Sequence, residues 1–263
     1  MERKLGIISD CMRGQNPVDT LDKIKEIGFD SFFTGYIDVE TVSKLRNKGD
    51  ALGLDFEFIH APFKNINNMW FKDDSYKEIY DGMITTIDSA SAYDIPVIIT
   101  HLSSGWDAPG ITEIGLERYD NLIDYAARKN VIIAFENLRK VGNIAYFVDK
   151  YEGNEFVKFC YDNGHEHCYT KTVCWPDIFT HNIIATHIHD NNGRGWEKIG
   201  DPDTHMLPFD GNYDFSKMMR KLDEYNYTGS LMLEVFNHSV YSEMTTEEFL
   251  TTCYERIKKI SEM

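Results

Sequence analysis

The chain has 263 residues, 42% of them hydrophobic, which is enough to bury the core of one large α/β domain or two small ones. Its formal net charge is −16, from 27 Lys and Arg against 43 Asp and Glu, and such an acidic surface argues against a nucleic-acid partner because it repels polyanions. The five cysteines form no CxxC pair and no apolar run approaches the about 20 residues of a membrane helix, so we expect a cytoplasmic protein with reduced thiols.

Short apolar runs recur along the chain, and helix-like segments fill the gaps between them. Several runs are almost continuously hydrophobic, which is typical of strands buried on both faces of a parallel sheet. The eight predicted strands are residues 5–9, 29–35, 54–60, 96–102, 131–137, 157–163, 183–190 and 230–236.

The predicted helices carry apolar residues at spacings that keep them on one face. Pro17 opens the first helix, and Thr245 or Thr246 with Glu248 nearby forms a capping signal for the last. The other predicted helices cover residues 74–93, 112–129 and 214–225, with shorter ones at 143–152 and 175–181.

Eight strand–helix units in about 260 residues match a TIM barrel in count and length. No linker or composition shift divides the chain, so we predict a single (β/α)8 barrel domain over residues 1–263. A doubly wound open sheet is the alternative fold, but no GxGxxG follows the first strand.

Acidic and imidazole side chains stand at the carboxyl ends of six successive predicted strands. In a barrel these ends share one mouth, where the chemistry of the fold lies, although acidic residues are depleted in strands. Taken alone, each such residue is more often structural or solvated than functional. The candidates are His60, His101, Glu136, Asp162, His165, His187, His189, Asp190 and Glu234, with Asp203 and His205 in the loop after the seventh strand.

Glu136 and Glu234 point most strongly to a metal. Both have apolar neighbours that imply burial, and buried carboxylates are commonly paired or bound to cations. Carboxylate and imidazole together suit Zn²⁺, Mn²⁺ or Fe²⁺, whereas oxygen ligands alone would suggest Mg²⁺ or Ca²⁺. The sequence therefore predicts a transition-metal site at the barrel mouth.

With these residues placed, the chain resembles the xylose-isomerase-like TIM-barrel superfamily, which joins sugar isomerases and epimerases, inosose dehydratases and endonuclease IV-type apurinic-site endonucleases. The resemblance covers nearly the whole chain. Its most specific parts are HAPF (60–63), FEN (135–137), YDNGH (161–165), THIHDN (186–191), DTH (203–205) and LEVF (233–236).

Two branches of that superfamily imply different metal centres. The epimerase branch implies one divalent metal on Glu136, Asp162, His187 and Glu234, with the two glutamates as acid and base beside a metal-bound carbonyl and His165 against the substrate. The endonuclease branch implies three zinc ions on nine ligands. Those ligands match His60, His101, Glu136, Asp162, His165, His187, Asp203, His205 and Glu234, so we expect one to three Zn or Mn ions.

Other residues near the mouth are candidates for substrate contact. His187 and His189 point the same way in an ideal strand, so spacing leaves open which one binds metal. The resemblance favours His187 as the metal ligand, and we assign His189 to support of the metal ligands or to contact with the substrate. Trp70, Trp106 and Trp196 are interpreted either as apolar walls for a small polyol or as loop anchors. The basic residues near the mouth are scattered, namely Arg13, Lys64, Arg139, Arg194 and Lys198, of which we assign Lys198 to substrate.

These observations favour a metal-dependent isomerase or epimerase that acts on a sugar, sugar phosphate or cyclitol by proton transfer. The alternative is an endonuclease IV-like multinuclear-zinc phosphodiesterase, although the net charge and the few basic residues at the mouth count against duplex DNA. A non-catalytic metal- or sugar-binding barrel is a further alternative. The expected partner is a small polyol or sugar phosphate, and self-association as a homo-oligomer through a helix face stays open.

Overall fold

A computed structural model of the chain describes residues 3–170, 172–194 and 202–263. The parallel strands are β1 (Leu5–Ile8), β2 (Ser31–Thr34), β3 (Asp55–His60), β4 (Val97–Thr100), β5 (Ile132–Glu136), β6 (Val157–Asp162), β7 (Ile183–His187) and β8 (Leu231–Leu233). They pair in the order β7-β6-β5-β4-β3-β2-β1-β8. Ile188, just after β7, closes the barrel, since its N–H donates to Met232 O (2.8 Å) and its carbonyl accepts from Glu234 N–H (3.1 Å). The predicted (β/α)8 barrel is confirmed.

The helices surround the strands, and each predicted helix has a counterpart in the structure. They are α1 (Pro17–Ile27), α2 (Val39–Leu52), α3 (Lys77–Ala92), α4 (Glu113–Arg128), α5 (Val141–Lys150), α6 (Asn163–Tyr169), α7 (Trp175–Phe179), α8 (Phe215–Glu224) and α9 (Thr246–Ser261). Of the two threonines predicted to cap the last helix, Thr245 forms the capping box with Glu248 at the start of α9. Within the described residues, no helix has the length and apolarity that crossing a membrane requires.

Some boundaries differ from the prediction at the mouth. β7 ends at His187 and β8 at Leu233, earlier than the predicted 190 and 236. β7 gives way there to isolated bridges, among them an antiparallel one that joins Asp190 to Met206 in the following loop. The short α6 begins directly after β6, where the Asp162 carboxylate accepts the His165 N–H (2.6 Å) and caps the helix.

Trp70 lies in the core, with 1% of its surface exposed. Its indole N–H donates to the Leu102 carbonyl (2.6 Å), and its ring packs against α4 at Gly115. The interpretation of Trp70 as a cavity wall is therefore wrong, because the side chain anchors the loop after β3.

The contact at Gly115 predicts opposite effects for alanine at two helical glycines. A Cβ at Gly115 would lie 2.1 Å from Trp70 Cε3, so Gly115→Ala is expected to lower the free energy of unfolding by about 1–3 kcal/mol. Gly142 is exposed on α5, and a Cβ added there would have no neighbouring atom within 4 Å. Gly142→Ala is therefore expected to raise the free energy of unfolding by about 0.5–1 kcal/mol, because alanine has the higher helix propensity. Urea unfolding of both variants tests this, and a stable Gly115→Ala would contradict the tight packing at Trp70.

Candidate metal centre

Four consecutive strands each deliver one side chain to the barrel mouth. Glu136 ends β5, Asp162 ends β6, His187 ends β7, and Glu234 follows β8 directly. One oxygen or nitrogen atom from each of these side chains lies within 4.8 Å of those from the other three. Because the strands are parallel and neighbouring in the closed barrel, their carboxyl ends converge on one volume.

Glu136 lies at the centre of this cluster and is 1% exposed. Its Oε2 lies 3.2 Å from His60 Nε2 and 3.1 Å from His101 Nε2, and its Oε1 lies 2.9 Å from His165 Nδ1. Burial acts to raise the pKa of this carboxyl, but His187, His101 and His165 together hold it well below its usual value. Glu136 is therefore an ionised carboxylate among imidazoles.

His187 tests whether a cation fits the four-residue group. Its side chain is 0% exposed, and its Nδ1 makes no hydrogen bond with the described part of the chain. That nitrogen lies 3.4 Å from Glu234 Oε2 and 3.5 Å from Glu136 Oε2, and the imidazole stacks on the Phe33 ring at 5.0 Å. A buried nitrogen between two carboxylates lacks a partner that a cation would supply, so the donor set fits a divalent metal.

A second group shares Glu136 and contains His60 and His101. His60 Nδ1 donates to the carbonyl of Ala61 (2.7 Å), which leaves Nε2 as the acceptor that faces Glu136. The pKa of His101 is lowered by burial, which favours the neutral imidazole that metals bind. The Phe63 ring stacks on His101 at 4.8 Å and fixes its plane.

A third group contains His189, Asp203 and His205. His205 Nε2 lies 3.2 Å from Asp203 Oδ2, and the His189 and His205 rings stack at 4.1 Å. Burial lowers the pKa of His205, but Asp203 outweighs it and raises that pKa to about 10. His165 Nε2 also lies 3.1 Å from Asp203 Oδ2 and links this group to Glu136.

Asp190 holds the loop that carries Asp203 and His205. Its backbone exchanges two hydrogen bonds of 2.8 Å with Met206. Its buried carboxylate accepts from the N–H groups of Phe209 (2.9 Å), Gly211 (3.1 Å) and Tyr213 (3.2 Å). The Asp190 carboxylate is thus satisfied by backbone donors, and it fixes the loop that carries Asp203 and His205 to the mouth.

A cavity of about 570 Å³ opens above Glu136, a size suited to a small molecule. Its lining includes the whole second group and part of the other two, together with further residues of the mouth. The lining residues outside the groups are Phe63, Ser103, Ser104, Gly105, Trp106, Leu138, Arg139, His165 and Tyr169. Sequence reasoning missed Tyr169, although its position four residues after His165 predicts that both share one face of a helix.

The family of the chain follows from comparison with known proteins. Residues 21–253 match the model of a family described as the xylose isomerase-like TIM barrel, so the match covers most of the chain. The chain belongs to the xylose isomerase-like TIM barrel family.

Proteins similar to this member of the xylose isomerase-like family include an uncharacterized protein and solved epimerases. An uncharacterized protein of Methanocaldococcus jannaschii is 22% identical over 98% of this chain and 92% of its own length. D-psicose 3-epimerase of Clostridium cellulolyticum, solved with D-tagatose, has a TM-score of 0.75 and 14% identity over 99% of this chain and 100% of that one. L-ribulose 3-epimerase has a TM-score of 0.76 and 16% identity over 99% of this chain and 95% of that one. The chain therefore has the fold of the sugar isomerase and epimerase type.

Within this xylose isomerase-like barrel, all nine predicted metal ligands lie together at the mouth, and His189 lies beside them. His189, assigned to support or to substrate, lies in the third group, is 0% exposed and is absent from the described cavity lining. His165, which one branch implies as a metal ligand and the other as a substrate contact, bridges Glu136 and Asp203 and lines the cavity. Of the residues assigned to substrate, Trp106 lines the cavity, whereas Trp196 and Lys198 lie outside the described residues.

Proposed function

We propose that the protein is a divalent-metal-dependent isomerase or epimerase of a sugar, sugar phosphate or cyclitol. The observation that carries the proposal is the group of Glu136, Asp162, His187 and Glu234 beneath a cavity of sugar size. These four residues would hold the ion. A bound divalent cation supplies Lewis-acid chemistry that stabilises negative charge on a carbonyl oxygen.

The two glutamates are suited to moving a proton on the carbon beside a carbonyl. Glu136 extends from β5 and Glu234 from β8, so their carboxylates enter the site from strands separated by β6 and β7. Two carboxylates in different positions can remove a proton from one face of a carbon and return one to the other face. The histidines that lower the pKa of Glu136 keep it ionised, so it is available as a proton acceptor.

The surrounding residues would orient the substrate and exclude water. We assign Trp106 and Phe63 to the walls and His165, which lines the cavity, to a substrate hydroxyl. We assign His189 to the positioning of Asp162 and Asp203, since its Nε2 lies 3.3 Å from Asp162 Oδ1 and 3.6 Å from Asp203 Oδ1. Trp196 and Lys198 stay predicted substrate residues.

Solvent-deuterium incorporation tests the proposed reaction directly. Protein loaded with Mn²⁺ or Zn²⁺ is incubated in D₂O with neutral ketoses, ketose phosphates and inososes. We expect at least one compound to gain deuterium at a carbon beside its carbonyl, as read by mass spectrometry and NMR. The same protein stripped of metal is the control, and a panel without incorporation would contradict the proposal.

A phosphodiesterase with several zinc ions is the second candidate, favoured by the two additional groups at His60 and at His205. Metal analysis and cleavage of a chromogenic phosphodiester separate the two activities. Three ions per chain with phosphodiester cleavage and no deuterium incorporation would favour the hydrolase. Metal binding with neither activity would favour the non-catalytic barrel.

A further inference from the structure

Arg139 lies on the wall of the cavity, three residues after Glu136 in the loop between β5 and α5. Among the described residues that line this cavity, it is the one lysine or arginine. Its guanidinium carbon lies 3.5 Å from the centroid of the Trp106 ring and 4.1 Å from that of Tyr169. Two aromatic rings thus hold the planar cation, while its N–H donors lie in the guanidinium plane.

Two stacked rings, those of Tyr169 and His165, connect this cation to Glu136 in the candidate metal centre. Tyr169 stacks on His165 with ring centroids 5.1 Å apart and planes at 22°. His165 Nδ1 in turn lies 2.9 Å from Glu136 Oε1. The guanidinium therefore lines the same cavity as Glu136 and Glu234.

Arg194 adds a second positive charge to the same aromatic residues. Its guanidinium carbon lies 4.7 Å from the Trp106 ring centroid, and its Nη2 donates to the Tyr169 carbonyl (3.0 Å). Two guanidinium groups thus lie at one tryptophan in a chain of net charge −16. Besides Arg139, the described lining contains three carboxylates and four histidines, namely Glu136, Asp203, Glu234, His60, His101, His165 and His205. The cavity therefore has carboxylates at its floor and a cation on its wall.

We infer that the substrate is an anionic sugar whose phosphate or carboxylate binds Arg139 while its carbonyl end lies between Glu136 and Glu234. The inference rests on the proposed function and names its substrate class. A guanidinium whose faces are covered binds best through its edge, and phosphate and carboxylate match that edge with two parallel hydrogen bonds. Binding at both ends would also fix which carbon faces the two glutamates.

The test compares three ligands that differ in one group: a 2-ketohexose, the same ketohexose with a phosphate on carbon 6, and the same with a carboxylate at carbon 6. Calorimetric titration of Mn²⁺-loaded protein measures each Kd. We expect at least one anion to bind about 10- to 100-fold more tightly than the neutral ketose, since charge-assisted bonds are stronger than neutral ones. The better anion identifies the group. A Kd of the neutral ketohexose as low as the Kd of both anions would overturn the inference.

Two variants assign the preference to Arg139. Arg139→Met keeps an unbranched side chain without the charge, and we expect it to remove the difference in Kd between the anionic and the neutral ketohexose. Lys64→Met, at an exposed position near the mouth, is the matched control and is expected to keep the preference. An equal loss of the anion preference in both variants would mean that it depends on the overall charge of the protein, and this result would overturn the inference. Because binding is read apart from deuterium incorporation, anion preference without exchange would contradict the proposed function alone.

Discussion

Substitution of Glu136 by glutamine is expected to lower solvent-deuterium incorporation by about 10²- to 10⁴-fold. Glutamine has nearly the same shape, but it cannot accept the proton. It also removes the negative charge that His60, His101 and His165 share at 2.9–3.2 Å. The measurement is the initial exchange rate on the best substrate of the panel, at a metal concentration that saturates the variant.

Glu57→Gln is the matched control for this prediction. Glu57 is a half-buried carboxylate on β3, where it bonds Ser230 near the amino ends of the strands, at the opposite end of the barrel. We expect Glu57→Gln to retain exchange. Exchange that survives Glu136→Gln would remove Glu136 from the mechanism, and equal loss in both variants would point to a general effect of losing a buried carboxylate.

Removal of divalent metal by a chelator is expected to lower Tm by about 5–10 °C. A ligand present at a hundred times its Kd stabilises the folded state by about 2.7 kcal/mol, and each kcal/mol shifts Tm by about 2–4 °C in a chain of this size. The physical source is the buried set of Glu136, Asp162 and His187, each at most 1% exposed. Scanning calorimetry before and after dialysis against the chelator, and after Mn²⁺ or Zn²⁺ is restored, measures the shift.

His187→Ala and His181→Ala localise that stabilisation. His187 belongs to the four-residue group, whereas His181 is exposed just before β7. We expect His187→Ala to reduce the metal-dependent rise in Tm and His181→Ala to keep it whole. A Tm that metal does not change in the wild-type chain would contradict a resident ion, and a full rise in His187→Ala would exclude His187 as a ligand.

Much of the fold was predictable because burial on two faces leaves a long apolar run at each strand. Every predicted strand overlaps an observed one. The helix α2 was not singled out because its buried residues are only Val42, Leu45 and Gly49, too few for a clear apolar face. The helix α6 was missed because its seven residues, NGHEHCY, are mostly polar and carry no periodic apolar stripe.

The sequence by itself determined that acidic and imidazole side chains meet at one mouth, because parallel strands of a barrel all end there. Only the tertiary structure decided how they divide into groups. His187 and His189 have the spacing of one strand face, yet β7 ends at His187 and Ile188 bridges to β8, so His187 joins Glu136 and Glu234 while His189 joins Asp203 and His205. The pairing of Arg139 with Trp106 and Tyr169 likewise unites two loops and the end of helix α6. Such contacts depend on the closed barrel and leave no local periodicity in the chain.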